Sequence, residues 1–223
     1  MIKSATPPGS ILLYLLIGLL LGSSACNSDP HTYAMIETDM GNMKVMLYNT
    51  TPQHRDNFVK LVQEGFYDDL LFHRVIQNFM IQGGDPTSRN APANQALGQG
   101  GPGYTVPAEI GSPHFKGTLS AARLGDAVNP NKESSGSQFF IVQGTVQSDQ
   151  QLDNFERTKK VKYNDAQRQL YKDLGGFPSL DNEYSVFGEV VEGLEVIDKI
   201  AAVPTAPGDR PVEDVKMKIR LLN

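Results

Sequence analysis

Apolar and basic side chains alternate along Val215–Leu221 (VKMKIRL), the period-two pattern of a strand with one face buried and the other in water. Tyr33–Asp39 (YAMIETD) and Met43–Tyr48 (MKVMLY) also read as strands. The Met40-Gly41-Asn42 between them contains residues that tolerate positive φ, so the pair predicts a hairpin. Val75–Gln82, Gly117–Arg123, Gln138–Val142 and Tyr184–Val190 are further strand candidates, and a loop rich in Gly, Pro and Asn fills residues 83–107. Elsewhere the spacing becomes helical. Thr51-Pro52 sets a capping residue before a proline at the first helical position, Phe58, Leu61 and Val62 follow at helical spacing, and Gly65 closes the segment. Leu194, Ile197 and Ile200 line one side of a short amphipathic helix over Gly193–Ala202. Ser148–Lys159 and Asn164–Leu174 are polar and Gln-rich, and predict two surface helices that stop at Gly175-Gly176. Short strands, two well-placed helices and glycine-rich connections favour a small closed barrel, a mainly β fold. Periodicity alone leaves the topology open.

The first segment has a different character. The apolar run Ile11–Leu21 (ILLYLLIGLLL) follows Lys3; it is too short for a bilayer span, which takes about 20 residues, and fits the core of a signal peptide. Gly22-Ser23-Ser24-Ala25 and then Cys26 come next. The segment is similar to a bacterial lipoprotein leader, in which the cysteine thiol takes a diacylglyceryl group and becomes the new N-terminus. Ser23 departs from the larger aliphatic residue usual three places before that cysteine, and ordinary cleavage after Ala25 is the alternative. The expected organisation is a removed leader over 1–25, a tether over 26–32 and one folded domain over 33–223. Each buried acyl methylene contributes about 0.8 kcal/mol, so an acylated Cys26 would anchor the domain to a membrane of the bacterial cell envelope.

Composition narrows the function. The 223 residues are 39% hydrophobic, enough for a proper core. With a net charge of −5 and both signs scattered, the chain lacks the basic face a nucleic-acid binder needs. A single cysteine can form neither an internal disulfide nor a multi-cysteine zinc site, and His31, His54, His73 and His114 fall at no metal-ligand spacing, so no metal or cofactor is expected. Gly98–Gly103 (GQGGPG) satisfies G-x-G-x-x-G, but no strand precedes it and an extended Tyr104-Thr-Val-Pro107 follows, so it is not a dinucleotide site. Ser137 in Ser-Gly-Ser-Gln lacks the nucleophile elbow of hydrolases.

Two segments mix polar and large apolar residues. Phe72–Asp85 (FHRVIQNFMIQGGD) places an arginine and two glutamines among aromatic and aliphatic side chains, and Ser134–Ile141 (SSGSQFFI) sets a glutamine directly before two phenylalanines. Singly, each suits a core strand whose polar residues face water. Together they resemble the signature segments of the cyclophilins. Gly117–Ala122 (GTLSAA) is similar to the family's G-x-L-S-M-A, and Leu180-Asp181 through Val186–Val190 (VFGEV) to its L-D-x-x-x-x-V-F-G-x-V, in the family's order. The resemblance implies a closed eight-stranded antiparallel β-barrel capped by two helices, with the residues around 147–176 a helical insertion, and a peptidyl-prolyl cis/trans isomerase acting on proline-containing unfolded or exported polypeptides, as a monomer.

Rotation about a peptide bond meets a barrier of about 18–20 kcal/mol from nitrogen lone-pair delocalisation, and a thousandfold acceleration requires removing about 4 kcal/mol of it. No nucleophile, metal or cofactor is needed. The resemblance implies that Arg74 is the catalytic residue, donating to the twisted imide. By the same resemblance Phe79, Met80, Phe140 and Leu180 grip the proline ring, Gln82 steadies the arginine and the substrate backbone, and Ala122 and Gln138 line the groove for the preceding residues. Three positions depart from the family. Arg123 stands where asparagine is frequent, bringing a charge either to the substrate or to solvent; Tyr184 replaces a frequent histidine and keeps an aromatic wall; Ser179 stands where many members have the tryptophan linked to cyclosporin binding, which implies weak affinity for that compound. The alternatives are a non-catalytic proline-peptide binder and an envelope scaffold on the same fold. The insertion is either a solvated helical hairpin or an added wall beside the groove.

Overall fold

A computed structural model of the chain describes Met1 and residues 31–222. The expected leader over 1–25, the Cys26 lipidation site and most of the tether over 26–32 lie outside the described residues. Among the described residues no helix is long and apolar enough to cross a membrane.

The first hairpin forms as its sequence predicts. β1 (Thr32–Thr38) and β2 (Gly41–Leu47) pair with Thr38 opposite Gly41, and the Thr38 hydroxyl donates to the Gly41 carbonyl at 2.7 Å to close the turn. α1 (Pro52–Gln63) begins at the expected proline, yet the Thr51 hydroxyl makes no capping bond. Glu109, far along the chain, takes that role: its carboxylate accepts the backbone N–H groups of Gln53 and His54 at 3.2 and 3.0 Å. Then follow β3 (Leu70–Leu71), β4 (Arg74–Ile76), β5 (Met80–Gly83), β6 (Thr105–Val106), β7 (Thr118–Ala121), β8 (Ser134–Ser135), β9 (Phe139–Val142), α2 (Asp149–Lys159), α3 (Asp165–Asp173), β10 (Val186–Glu192), α4 (Leu194–Ala201) and β11 (Lys216–Leu222). The single strand expected over Val75–Gln82 is in fact two, β4 and β5, because Asn78 takes the left-handed conformation at φ 63° and reverses the chain.

Nine strands form one antiparallel sheet in the order β3-β11-β1-β2-β10-β7-β9-β5-β4, and β6 pairs separately with β8. The sheet is open, which corrects the expected closed eight-stranded barrel. Its two edges, β3 and β4, are separated in the chain only by Phe72-His73 and do not pair with each other. The N–H groups at that gap go elsewhere, Phe72 N to the Val215 carbonyl at 2.9 Å and Val75 N to the Asp209 carbonyl at 2.8 Å. Inside the curve, Ile36, Val45, Leu119, Phe139 and Ile141 meet Phe58 and Leu61 of α1 and Ile197 and Ile200 of α4 in the main core. The two helices therefore cap the sheet as expected.

β7 and β9 are buried on both faces. Ile81, Phe139 and Ile141 point into the core, so the pleat turns Met80, Phe140 and Val142 outward, where Leu180 covers them in a second apolar cluster. The outward side chains of the two signature segments thus have a cover of their own.

The insertion leaves and rejoins the sheet at a paired neck, Thr145 N to Gly176 O at 3.1 Å and Gly176 N to Thr145 O at 3.0 Å. The backbones are so close that a Cβ on Gly144 would lie 2.3 Å from the Gly176 carbonyl carbon. Ser148 and Asn164 cap α2 and α3 with reciprocal Gln151 and Gln167 bonds. The two helices are mostly exposed, as expected, but Leu152, Tyr163 and Tyr171 form a small core with Phe115.

Candidate active site

The β4–β5 hairpin sets Arg74 directly opposite Gln82, and β5 sets Gln82 opposite Phe140 of β9. That register has a chemical consequence. Arg74 donates through one terminal nitrogen to Gln82 Oε1 at 3.4 Å, Gln82 Nε2 donates to Gln138 Oε1 at 3.1 Å, and Gln138 Nε2 donates to the Gly100 carbonyl at 2.7 Å. The Gly100 carbonyl can only accept, so the donors run in one direction and fix both amide orientations. Gly84, which follows β5 at φ +87°, makes the approach of the Gln138 segment possible: a Cβ there would lie 2.3 Å from the Ser137 carbonyl oxygen.

Arg74, Phe79, Met80, Gln82, Ala122, Arg123, Phe140, Leu180 and Tyr184 line a cavity of about 170 Å³. Met80 and Phe140 form its floor-like apolar cluster with Leu180, and Tyr184 stands edge-on to Phe140 with ring centres 5.5 Å apart. Gln82, Ala122 and Arg123 also border a second, larger cavity of about 740 Å³, shared with Gln138, Gly100, Tyr104 and Leu124. The structure thus brings nine of the ten side chains that the sequence nominated into one cavity, and places the tenth, Gln138, in the adjoining groove. Ser179 lies in the short turn Pro178–Leu180 beside the Leu180 wall.

Arg123 corrects an expectation. It does not simply face solvent, one of its two expected roles: its side chain is only 5% exposed while it lines both cavities. Its Nε donates to the Glu183 carbonyl at 2.8 Å, its terminal nitrogens reach the Glu183 and Asp126 carboxylates, and its guanidinium lies 4.8 Å from the centre of the Tyr184 ring. It backs the aromatic wall through a cation–π contact.

Three side chains that sequence reasoning missed complete the site. Asp209 accepts from Arg74 Nε at 3.3 Å, in a pair whose members are each about two-fifths exposed. Phe177 packs against Phe79 with ring centres 4.4 Å apart and planes tilted by 40°. Asp85, fully buried, accepts from Thr87 N and Oγ1 and from Gly98 N and Gly100 N. Burial alone would raise the Asp85 carboxyl, but the bonds from Thr87, Gly98 and Gly100 outweigh it and hold the group below the usual range. The glycine-rich stretch therefore does bind an anion, the protein's own carboxylate, and this carries the Gly100 carbonyl to Gln138. Only the Phe-Met-Ile-Gln-Gly-Gly-Asp run hinted at Asp85; nothing local pointed to Asp209.

A second polar cluster sits behind α1. His54 Nδ1 meets Glu109 Oε2 at 2.6 Å, and His54 Nε2 meets Ser134 Oγ at 2.9 Å. Burial pushes His54 below its ordinary value against the opposing pull of Glu109, so the neutral ring donates from Nδ1 and accepts the Ser134 hydroxyl. Ser134 is 1% exposed, so this serine–histidine–carboxylate string has no room for a substrate and serves as a structural tie.

Fold and site together define a β protein with an open groove adjoining an apolar cavity that the Arg74 guanidinium borders. Residues 33–220 match the family described as cyclophilin type peptidyl-prolyl cis-trans isomerase/CLD, and the chain belongs to that family. Peptidyl-prolyl cis-trans isomerase-like 1 of Gibberella zeae is 34% identical over 188 residues, covering 83% of this chain and 91% of that protein. A Streptococcus pyogenes protein carrying the name of a bifunctional phosphatase/peptidyl-prolyl cis-trans isomerase is 35% identical over 197 residues, and the alignment spans 81% of this chain but only 36% of that longer protein. Among solved structures, a Cryptosporidium parvum cyclophilin type peptidyl-prolyl cis-trans isomerase superposes with a TM-score of 0.64 at 26% identity, covering 86% of this chain and 98% of that one. The same parasite enzyme was also solved in the presence of the dipeptide Ala-Pro, with a TM-score of 0.63.

Proposed function

We propose that this isomerase speeds rotation about X-Pro bonds by holding the proline ring in the 170 Å³ cavity and stabilising the twisted imide with Arg74, without bonding to it covalently. The observation that carries this reading is the cavity's lining: apolar walls from Phe79, Met80, Phe140 and Leu180 beside the Arg74 guanidinium, whose direction Gln82 fixes. In the twisted state the prolyl nitrogen becomes pyramidal and its lone pair localises, which creates an acceptor absent from the planar ground state. A preorganised donor there is worth about 2.7–4 kcal/mol, close to the 4 or so that a thousandfold acceleration requires. Arginine has five N–H donors; Asp209 and Gln82 take one each, and the others remain for the substrate. The Asp209 pair is exposed, and such pairs contribute about 0–1 kcal/mol, so substrate can reorganise it at little cost. Gln138 and Ala122 border the groove where the residues before proline would lie.

The assay is exchange of cis and trans signals in a short Ala-Pro peptide, with and without the protein. A non-catalytic binder would shift the peptide's resonances and leave the exchange rate untouched.

The proposed clients are exported polypeptides, since the leader-like run Ile11–Leu21 and Cys26 support a lipid-anchored domain in the cell envelope. Mass spectrometry of the mature N-terminus tests this: a diacylglyceryl adduct on Cys26 is the expected result, and an unmodified N-terminus after Ala25 refutes anchoring.

A further inference from the structure

The insertion is more than a surface decoration, because a buried carboxylate ties it to the proline cavity. Leu180 and Tyr184 face the cavity, but Asp181 turns the opposite way and is 4% exposed. Its Oδ1 accepts from His114 N at 2.7 Å and from His114 Nδ1 at 2.9 Å. Its Oδ2 accepts from Tyr163 at 2.6 Å and Tyr171 at 2.7 Å, both residues of the insertion. Burial and the Asp181 carboxylate push both phenols up, so they remain O–H donors at any physiological pH. A carboxylate is the one side chain of this size offering two purely accepting oxygens, and four donors use them both. An isolated buried charge would be costly; this one is fully satisfied only while the insertion is docked.

The cluster also touches the cavity through rings. His114 stacks on Phe140 at 6.2 Å and 12° and meets Tyr184 edge-on at 6.3 Å. On the outer side, Lys159 of α2 reaches Glu183 at 3.6 Å, and Glu183 holds the Arg123 guanidinium that lies over Tyr184. The short segment from Leu180 to Tyr184 is therefore held from within by Asp181 and from without by Glu183.

We infer that the insertion between Thr145 and Gly176 is a brace for the proline cavity, and that Asp181, Tyr163 and Tyr171 are positioning residues that fix the Leu180 and Tyr184 walls. The inference rests on the assignment of that cavity to proline. It separates binding from chemistry, because Arg74 stands on β4 and is held by Asp209 and Gln82.

The test is a comparison of the full-length protein with Tyr163→Phe, the Tyr163→Phe/Tyr171→Phe pair, Asp181→Asn, and a variant in which a short linker replaces residues 146–175, all assayed well below their unfolding midpoints. The double variant is expected to raise the KM for an Ala-Pro peptide about five- to tenfold with kcat within about twofold, Tyr163→Phe alone giving a smaller shift in the same direction. Asp181→Asn, nearly isosteric, should do at least as much, since its amide group would face two donors. The deletion should reproduce the KM effect. Variants that unfold at lower temperature yet keep the wild-type KM would overturn the brace and leave the insertion a stabilising appendage. Arg74→Ala serves as the control with the opposite split. If wild type and Arg74→Ala have equal turnover, the catalytic reading fails; peptide Kd then still reports on the brace, which stands if the tyrosine variants weaken binding and falls if they do not.

Discussion

Replacing Arg74 isolates the step that the proposed chemistry depends on. The guanidinium is about two-fifths exposed and its partners are Asp209 at 3.3 Å and Gln82 at 3.4 Å. An exposed pair of this kind contributes about 0–1 kcal/mol to stability, and 1 kcal/mol moves the midpoint of a domain this size by about 2–4 °C. Arg74→Ala should therefore fold normally, with a midpoint within about 4 °C of wild type. The apolar walls, including Met80 at 1% and Phe140 at 5% exposure, do not depend on the guanidinium. Peptide affinity should accordingly change by about threefold or less, since only binding common to ground and transition states sets it. Turnover should fall by about 100- to 1,000-fold, the loss of one preorganised donor. Arg74→Lys keeps the charge but replaces the planar fork with a point donor that cannot hold Asp209, Gln82 and the imide together; it should recover only part of the loss. Two-dimensional exchange spectroscopy on an Ala-Pro peptide measures both quantities, and circular dichroism gives the midpoint. A folded Arg74→Ala protein retaining more than about a third of wild-type turnover would refute electrostatic stabilisation by this side chain. A rise in KM at constant kcat would reassign Arg74 to ground-state binding.

Two further predictions concern the scaffold. Burial pushes both His54 and His73 below the ordinary 6.5. The unfolded chain takes up protons that the folded protein resists, so stability should fall as pH drops below about 6.5, by up to about 1.4 kcal/mol per unit for each group. Glu109, which burial alone would raise but which the bonds from His54 and Gln53 hold below the usual range, extends the loss below its unfolded value. Denaturant titrations between pH 7.5 and 5, roughly the window in which an unfolded histidine titrates, should show a shallower slope for His54→Gln, and an unchanged slope would refute the assignment. Gly84→Ala meets the Ser137 carbonyl oxygen at 2.3 Å and Gln138 Cα at 3.0 Å from a left-handed backbone. It should cost about 2–4 kcal/mol, read as a lower urea midpoint at unchanged m, and lower activity by displacing Gln138.

What the sequence determined by itself was local. The Thr38–Gly41 turn of the first hairpin, the two helices of the insertion and the α4 stripe rest on interactions between residues three or four positions apart, which spacing displays. The ten nominated site residues came from the resemblance of four short segments to the cyclophilin signatures; their pattern alone reads as core strands with polar residues facing water. The structure alone decided which partners those segments meet. Arg74 finds Asp209 across 135 positions, Asp181 finds His114 across 67, and Gln53 finds the carboxylate that caps its helix across 56. None of these pairings follows a period, since each is set by the strand order and by where long connections return. At the open edges the partners are again distant in the chain: the Phe72 and Val75 N–H groups go to the carbonyls of Val215 and Asp209. Arg123 shows the limit most directly, because the sequence left its charge facing either substrate or solvent, and only the fold sets it against Glu183 and Tyr184 with 5% of its side chain exposed.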